Sequence, residues 1–372
     1  MPDPSHHDLP TIRPHHPVAR ELSEMCAVFG IAVPEELELD GIEVSGLASA
    51  AHRVEEGDLF VAVEGGRGHG AALVDVALDR GAVAIVTDAE GAARIRSAGS
   101  ESDVPVIVVD EPGLAVGHLA GWLLRSDEAW LKLFAVAGDA RRTQVAERIE
   151  ELLDLLGEET ALSTSRERRV ADEAIPADGA DLDADELHAL IGRMRETRVR
   201  AGIIELSPAG IAAHRADGVE FDVACLLGGA GTPEELAALE EFSSPDFAVR
   251  GIIDLDDPSG TDLLEAARIP MTTFSARPGG RADWTLTVSH EEDRSHFVVA
   301  GPESRKIHST VYGASDASLA DLAFAIVALE VAGWDLEQVQ EALDRVGGLQ
   351  AVEVQESCVG FRARNDSREA GW

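Results

Sequence analysis

Only two of the 372 residues are lysine, Lys132 and Lys306, and one is tyrosine, Tyr312. Any chemistry built on a lysine ammonium must therefore use one of two side chains, and the apolar pattern places neither at the tip of a strand-to-helix turn. Positive charge is scarce throughout: 31 Lys and Arg stand against 69 Asp and Glu, a net charge of −38. That balance argues against nucleic acid or an anionic membrane as partner, because neutralising phosphates takes clustered cations. The three cysteines, Cys26, Cys225 and Cys358, are far apart. They show neither metal-ligand spacing nor a disulfide framework, and read as small buried hydrophobes in a reducing compartment. No apolar run approaches the roughly 20 residues of a membrane span, and the His- and Pro-rich stretch Met1–Arg20 lacks the apolar centre of a signal peptide. A cytoplasmic location is expected.

What is present is ample core material, with 45% hydrophobic residues, and room for two or three domains. Residues 1–16 read as a flexible lead-in. A helix is expected over Val18–Phe29. Strands at Leu59–Val63, Ala82–Thr87 and Val104–Val109 then alternate with helices at Ala71–Arg80 and up to Leu124, a rhythm that makes 17–128 a small α/β domain. A second α/β unit spans 129–350. It has strands at Leu133–Ala137, Thr160, Gly202–Leu206, Phe221–Leu227 and Val249–Asp254, and helices at Thr143–Leu156 and up to Arg198. Three alternating runs in 283–311 suggest an antiparallel edge, and helices at Ala317–Ala332 and Leu336–Val346 close the unit. Residues 166–185 read as a polar loop and 351–372 as a short tail.

The turn Gly138-Asp139-Ala140-Arg141-Arg142-Thr143-Gln144 has the place and shape of a phosphate loop without its chemistry. Such a loop needs glycines so that backbone N–H groups close around phosphates, and a lysine to reach the terminal ones. Only Gly138 and Thr143 fit. Arg141 is bulky where glycine is wanted, Arg142 carries a planar fork where the ammonium belongs, and Asp139 adds negative charge.

Several further motifs appear in one order. Gly57-Asp58-Leu59-Phe60-Val61-Ala62, Gly68-His69-Gly70, Gly81-Ala82-Val83-Ala84 and Thr87-Asp88 come first. Glu205-Leu206-Ser207, Arg215, Asp217-Gly218-Val219, Phe221-Asp222-Val223-Ala224 and Asp256-Asp257-Pro258 follow. Together they resemble the Mur ligases of peptidoglycan synthesis, most closely the branch that adds the third amino acid to UDP-N-acetylmuramoyl dipeptide. The resemblance implies a uridine-binding-like α/β domain, then a P-loop-type central domain, with no counterpart of the family's C-terminal ligase domain after Gly348. It also implies an active form that uses ATP and magnesium to make an acyl phosphate, which an amine then attacks.

Measured against that pattern, the cations that offset charge on a transferring phosphoryl group are gone. Glu205 matches a magnesium-associated glutamate, but Pro208-Ala209 follows it in place of Ser-His. Leu226-Leu227-Gly228-Gly229-Ala230-Gly231 carries neither the His nor the Lys of the family's next element, and Asp254 replaces an asparagine associated with adenine. Ser207 and Arg215 match residues that contact the muramoyl peptide, whereas Ala50-Ala51 replaces the Asp-Ser pair that helps hold uridine. A competing reading makes Ser207 a helix cap and Arg215 a solvated residue. The expectation is a catalytically silent homologue that binds a UDP-muramyl peptide and acts through protein partners or self-association, with no catalytic residue, no metal and no cofactor. The alternative is an ATP-dependent amide ligase, weak or completed by another chain. Three minor signals complete the inventory: the pairs His6-His7 and His15-His16 in the lead-in, Arg166, Arg168 and Arg169 in the polar loop, and Trp122 and Trp130 as buried residues flanking the domain boundary.

Overall fold

The computed structural model describes residues 11–66, 68–98, 104–128, 130–138, 141–177, 179, 181–229, 231–292, 294–346, 349–354 and 358–363, the stretch after 349 through its backbone. Asp139, His6-His7 and the Cys358 side chain lie outside the described residues. The chain divides into two compact units, the first Met1–Trp130 with Leu182–Thr197 and His214–Val219, the second Leu131–Asp181, Arg198–Ala213 and Glu220–Trp372.

The first unit is built on four parallel strands in the order Gly46–Ala48, Asp58–Ala62, Ala84–Thr87, Val106–Val108. The middle two are buried on both faces, which is why they read as unbroken apolar runs. The first helix is confined to Leu22–Val28, shorter than its periodicity suggests, because Arg20 and Glu21 pair as a strand with Val44 and Glu43. Residues 11–16 are not a loose lead-in. Ile12 is buried, and Arg13 grips the buried Asp58 carboxylate with two bonds of 2.8 and 2.7 Å. A buried carboxylate requires a cation, and here it draws the chain terminus in. Trp130 is 57% exposed, contrary to expectation. Trp122 is half-buried, with the Arg20 guanidinium 3.3 Å above its ring.

Among the described residues, the second unit holds a sheet of thirteen strands. Its parallel centre runs Thr160–Ser163, Ala201–Leu206, Lys132–Ala137, Phe221–Leu226, Ala248–Asp254, Met271–Ser275, Trp284–Glu291. Arg294–Ala300 and Lys306–Tyr312 extend it antiparallel, as the alternating runs predict. Helix Asp316–Ala332 has apolar residues on every face, Asp321 being the buried exception, and packs against the sheet and against helix Arg142–Leu156.

Two expectations fail in this unit. Much of the polar loop is a hairpin, Glu167–Val170 paired with Glu173–Pro176, and its arginines are matched: Arg166 to Glu147 at 2.7 Å, Arg169 to Glu150 at 2.6 Å, with Arg168 buried. Three consecutive charged residues, Glu167, Arg168 and Arg169, read as a loop when their partners are distant in sequence. The tail likewise begins as a second hairpin, Leu349–Val354 with Cys358–Ala363.

His188 ties the first unit together. It is fully buried on helix Ala184–Glu196, with Nδ1 2.6 Å from the Ser126 hydroxyl and Nε2 2.9 Å from the carbonyl of Asp217. The carbonyl fixes Nε2 as the protonated nitrogen, so Nδ1 accepts from Ser126. Burial then pushes the imidazole pKa down to about 4, from 6.5. The folded form refuses a proton that the unfolded chain takes up below pH 6.5. This part of the stability is therefore whole above pH 6.5 and drains away down to pH 4, by about 3 kcal/mol. Urea unfolding between pH 7 and pH 4 should show this slope in the native protein and a shallower one in His188→Gln, whose amide keeps both hydrogen bonds and does not titrate; equal slopes would refute the assignment.

Candidate functional site

The central strand Lys132–Ala137 lies between Ala201–Leu206 and Phe221–Leu226, where the strand order reverses. In open parallel sheets this is where ligands bind, beyond the carboxyl ends of the strands. Gly138 sits at that end with φ +128°, and a Cβ there would lie 2.6 Å from the carbonyl oxygen of Gly228. Only glycine fits, so Gly138 is required by the turn itself. Helix Arg142–Leu156 starts from Arg141 with no side-chain cap, leaving its first amides and both arginines at the sheet end.

Each arginine faces carboxylates. The Arg141 guanidinium reaches the nearly buried Asp254 at 2.7 Å and Asp321 at 3.3 Å. Burial pushes the Asp254 carboxyl above its ordinary range, and the hydrogen bond from Arg141 pulls against that rise. Arg142 places Nε 2.9 Å from Glu205 and donates to the carbonyl of Gly138 at 3.2 Å. Glu205, at the end of its strand and 6% exposed, also accepts from the Thr143 hydroxyl at 2.9 Å and the Ser165 amide at 2.8 Å. Gly138, Arg142, Thr143 and Glu205 are thus linked to one another, while Arg141, next to Arg142 in the chain, is held by Asp254 and Asp321.

Asp321 was not foreseen as part of it. Its signal is a single carboxylate within the otherwise apolar turns Leu319–Leu329, a residue that must find a cation if the helix is buried. The glycine-rich turn after Leu227 closes tightly on the same region. Gly228 has φ +72°, and a Cβ on it would lie 2.3 Å from the Asp257 carboxylate. Asp257 in turn accepts from the Ser259 amide at 2.9 Å.

Ser207 and Arg215 fall in different units. Ser207 caps helix Pro208–Ala212, its oxygen accepting from the Gly210 amide at 2.9 Å while its hydroxyl donates to Asp181. The helix-cap reading is therefore correct for Ser207. Arg215 is about one-third exposed, with Nε 3.7 Å from Asp183. In the same unit, where Ala50-Ala51 stands, the adjoining Arg53 binds Asp183 at 2.9 Å, Asp185 at 3.4 Å and Glu186 at 2.6 Å. Ser49 adds a hydroxyl bond of 2.8 Å to Asp185. Local spacing gives no hint of this cluster, whose members are some 130 positions apart.

Comparison with known proteins places this geometry in a family. Residues 37–125, all in the first unit, match the description "Mur ligase family, catalytic domain". The UDP-N-acetylmuramyl-tripeptide synthetase of Leifsonia xyli subsp. xyli is 40% identical over 91% of this chain and 67% of its own length. The UDP-N-acetylmuramoyl-L-alanyl-D-glutamate–2,6-diaminopimelate ligase of Streptomyces avermitilis is 32% identical over the same shares. A solved structure of a ligase of that second name superposes with a TM-score of 0.71 at 16% identity, covering 91% of this chain and 70% of its own, a likeness of fold. The chain spans about two thirds of the length of these relatives. No helix among the described residues is long and apolar enough to cross a membrane. With two relatives above 30% identity across nine tenths of its residues, the chain belongs to the Mur ligase family.

Proposed function

We propose that this Mur ligase family member serves peptidoglycan precursor synthesis as a cytoplasmic binding or regulatory protein that does not ligate, with a UDP-muramyl peptide as ligand and other protein chains as partners. The observation that carries this reading is the arginine pair. Arg142 supplies the positive charge at Glu205 that a magnesium ion would supply, and Arg141 supplies it at Asp254 and Asp321. A magnesium-nucleotide does not fit these residues as they stand, because the Glu205 oxygens already hold an arginine, a hydroxyl and an amide. Ligand binding rests on Arg215, partly exposed and able to present a two-pronged donor to a carboxylate or pyrophosphate.

A second reading, an amide ligase of the tripeptide-synthetase type, is favoured by the relatives' names and the 40% identity. It requires both arginines to leave their carboxylates and turn to the phosphates, with ATP and magnesium entering between them.

Calorimetric titration separates the two. Under the first reading ATP with magnesium gives no heat, UDP-N-acetylmuramoyl dipeptide binds in the micromolar range, and Arg215→Ala weakens that binding at least tenfold. Micromolar ATP binding, or product formed from ATP and an amino acid, would establish the ligase instead. The arginine pair also has a structural consequence. Arg141→Ala strands Asp254 in the interior and should cost about 2 to 3 kcal/mol at pH 7, somewhat below a fully buried pair because Arg141 is one-third exposed. The deficit should shrink as the pH falls through the raised Asp254 pKa, since the protonated carboxyl no longer needs the cation. Thermal melts of Arg141→Ala and of the double variant with Asp254→Asn test this, the second melting above the first.

A further inference from the structure

A groove of about 750 Å³ lies in the second unit between strand Lys306–Tyr312 and helix Leu336–Arg345. None of its lining residues belongs to the arginine site. Its apolar surface comes from the buried Ile307, from Leu336 and from the half-buried Trp334, whose ring packs on Phe134 at 5.7 Å. Arg305 at its rim is tied to Glu330. Lys306 is then the other cation of the lining, set against the carboxylates of Asp335, Glu337 and Glu341. Glu337 and Glu341 stand four residues apart on one helix, hence on one face.

The strand beside the groove is incompletely paired. On one side it runs antiparallel to Arg294–Ala300 along its whole length; on the other, among the described residues, it meets a strand only at Val311 and Tyr312. At His308 the Gln340 side-chain amide accepts from the backbone N–H and donates to the backbone carbonyl, both at 2.9 Å. Those are the two bonds that a peptide group of a neighbouring strand would make. Two residues earlier, backbone alternation turns the N–H and carbonyl of Lys306 to the same side, where no strand of the described residues pairs with them.

We propose that this groove receives an extended peptide segment bearing lysine or arginine. The segment adds to the sheet edge at Lys306, rests alternate apolar side chains on Trp334 and Leu336, and sets its cations against Glu337 and Glu341. Charge decides the occupant. A second copy of a chain with net charge −38 brings excess negative charge to an acidic rim, whereas a basic segment neutralises it. The proposal is independent of whether the protein ligates.

The test is fluorescence polarisation of the full chain with a labelled, acetylated decapeptide of alternating lysine and valine. Micromolar binding that weakens with added salt is expected. The double variant Glu337→Gln/Glu341→Gln should lose at least tenfold in affinity, and so should the same peptide N-methylated at alternate residues, which keeps its charge but cannot pair with a strand. Absence of binding, undiminished binding to the double variant, or equal binding of the methylated peptide would each overturn the proposal; the last would mean that charge alone is read.

Discussion

Arginine facing a buried carboxylate is the interaction on which this structure depends. The chain carries more than twice as many acids as bases, and several of those acids are in the interior. An ionised carboxylate removed from water is tolerated only with a positive partner and good hydrogen bonds. The same solution recurs in Arg13 on Asp58, Arg53 on Asp183, Asp185 and Glu186, Arg169 on Glu150, Arg141 on Asp254 and Asp321, and Arg142 on Glu205. The guanidinium suits the role better than an ammonium, because its rigid fork serves two acceptors at once.

This gives the departures in the phosphate-type loop a physical sense. The Glu205 carboxylate and the Asp254 and Asp321 carboxylates sit at the end of the parallel sheet whatever the loop does, since their strands and helix are held by apolar packing. Something must neutralise them. Arginines at 141 and 142 do so from within the chain, and the turn keeps Gly138 because no other residue fits against the Gly228 carbonyl. Fold and chemistry are thus separable: periodic apolar positions preserve the sheet, while loop residues decide what the sheet end does.

The sequence was most legible where one face or both faces of an element are apolar. The strand and helix around the loop, the two closing helices and the antiparallel runs after 283 fall where their periodicity puts them. It was least legible where an element is held by distant charge. Ile12 and Arg13 read as a free terminus because Asp58 lies 45 residues away, and the hairpin 167–176 read as a loop because Glu147 and Glu150 are on another element. At the site, the residues at 138, 141, 142, 143 and 205 were legible as a set from their order along the chain. Their pairing was not, because an ion pair between positions 141 and 321 leaves no local trace except an acid in an apolar helix.

The first unit is not a continuous piece of chain. It leaves off after 130 and is completed by 182–197 and 214–219, with His188 and the carbonyl of Asp217 supplied by the later segments to Ser126 in the earlier one. As the polypeptide is synthesised, its opening 130 residues therefore lack the helix that covers their core, and they must wait while two stretches of the other unit emerge first. The first unit has all its segments only once residue 219 has emerged, and the second still needs the strands and helices after 220, so no single cut in the chain yields two finished pieces.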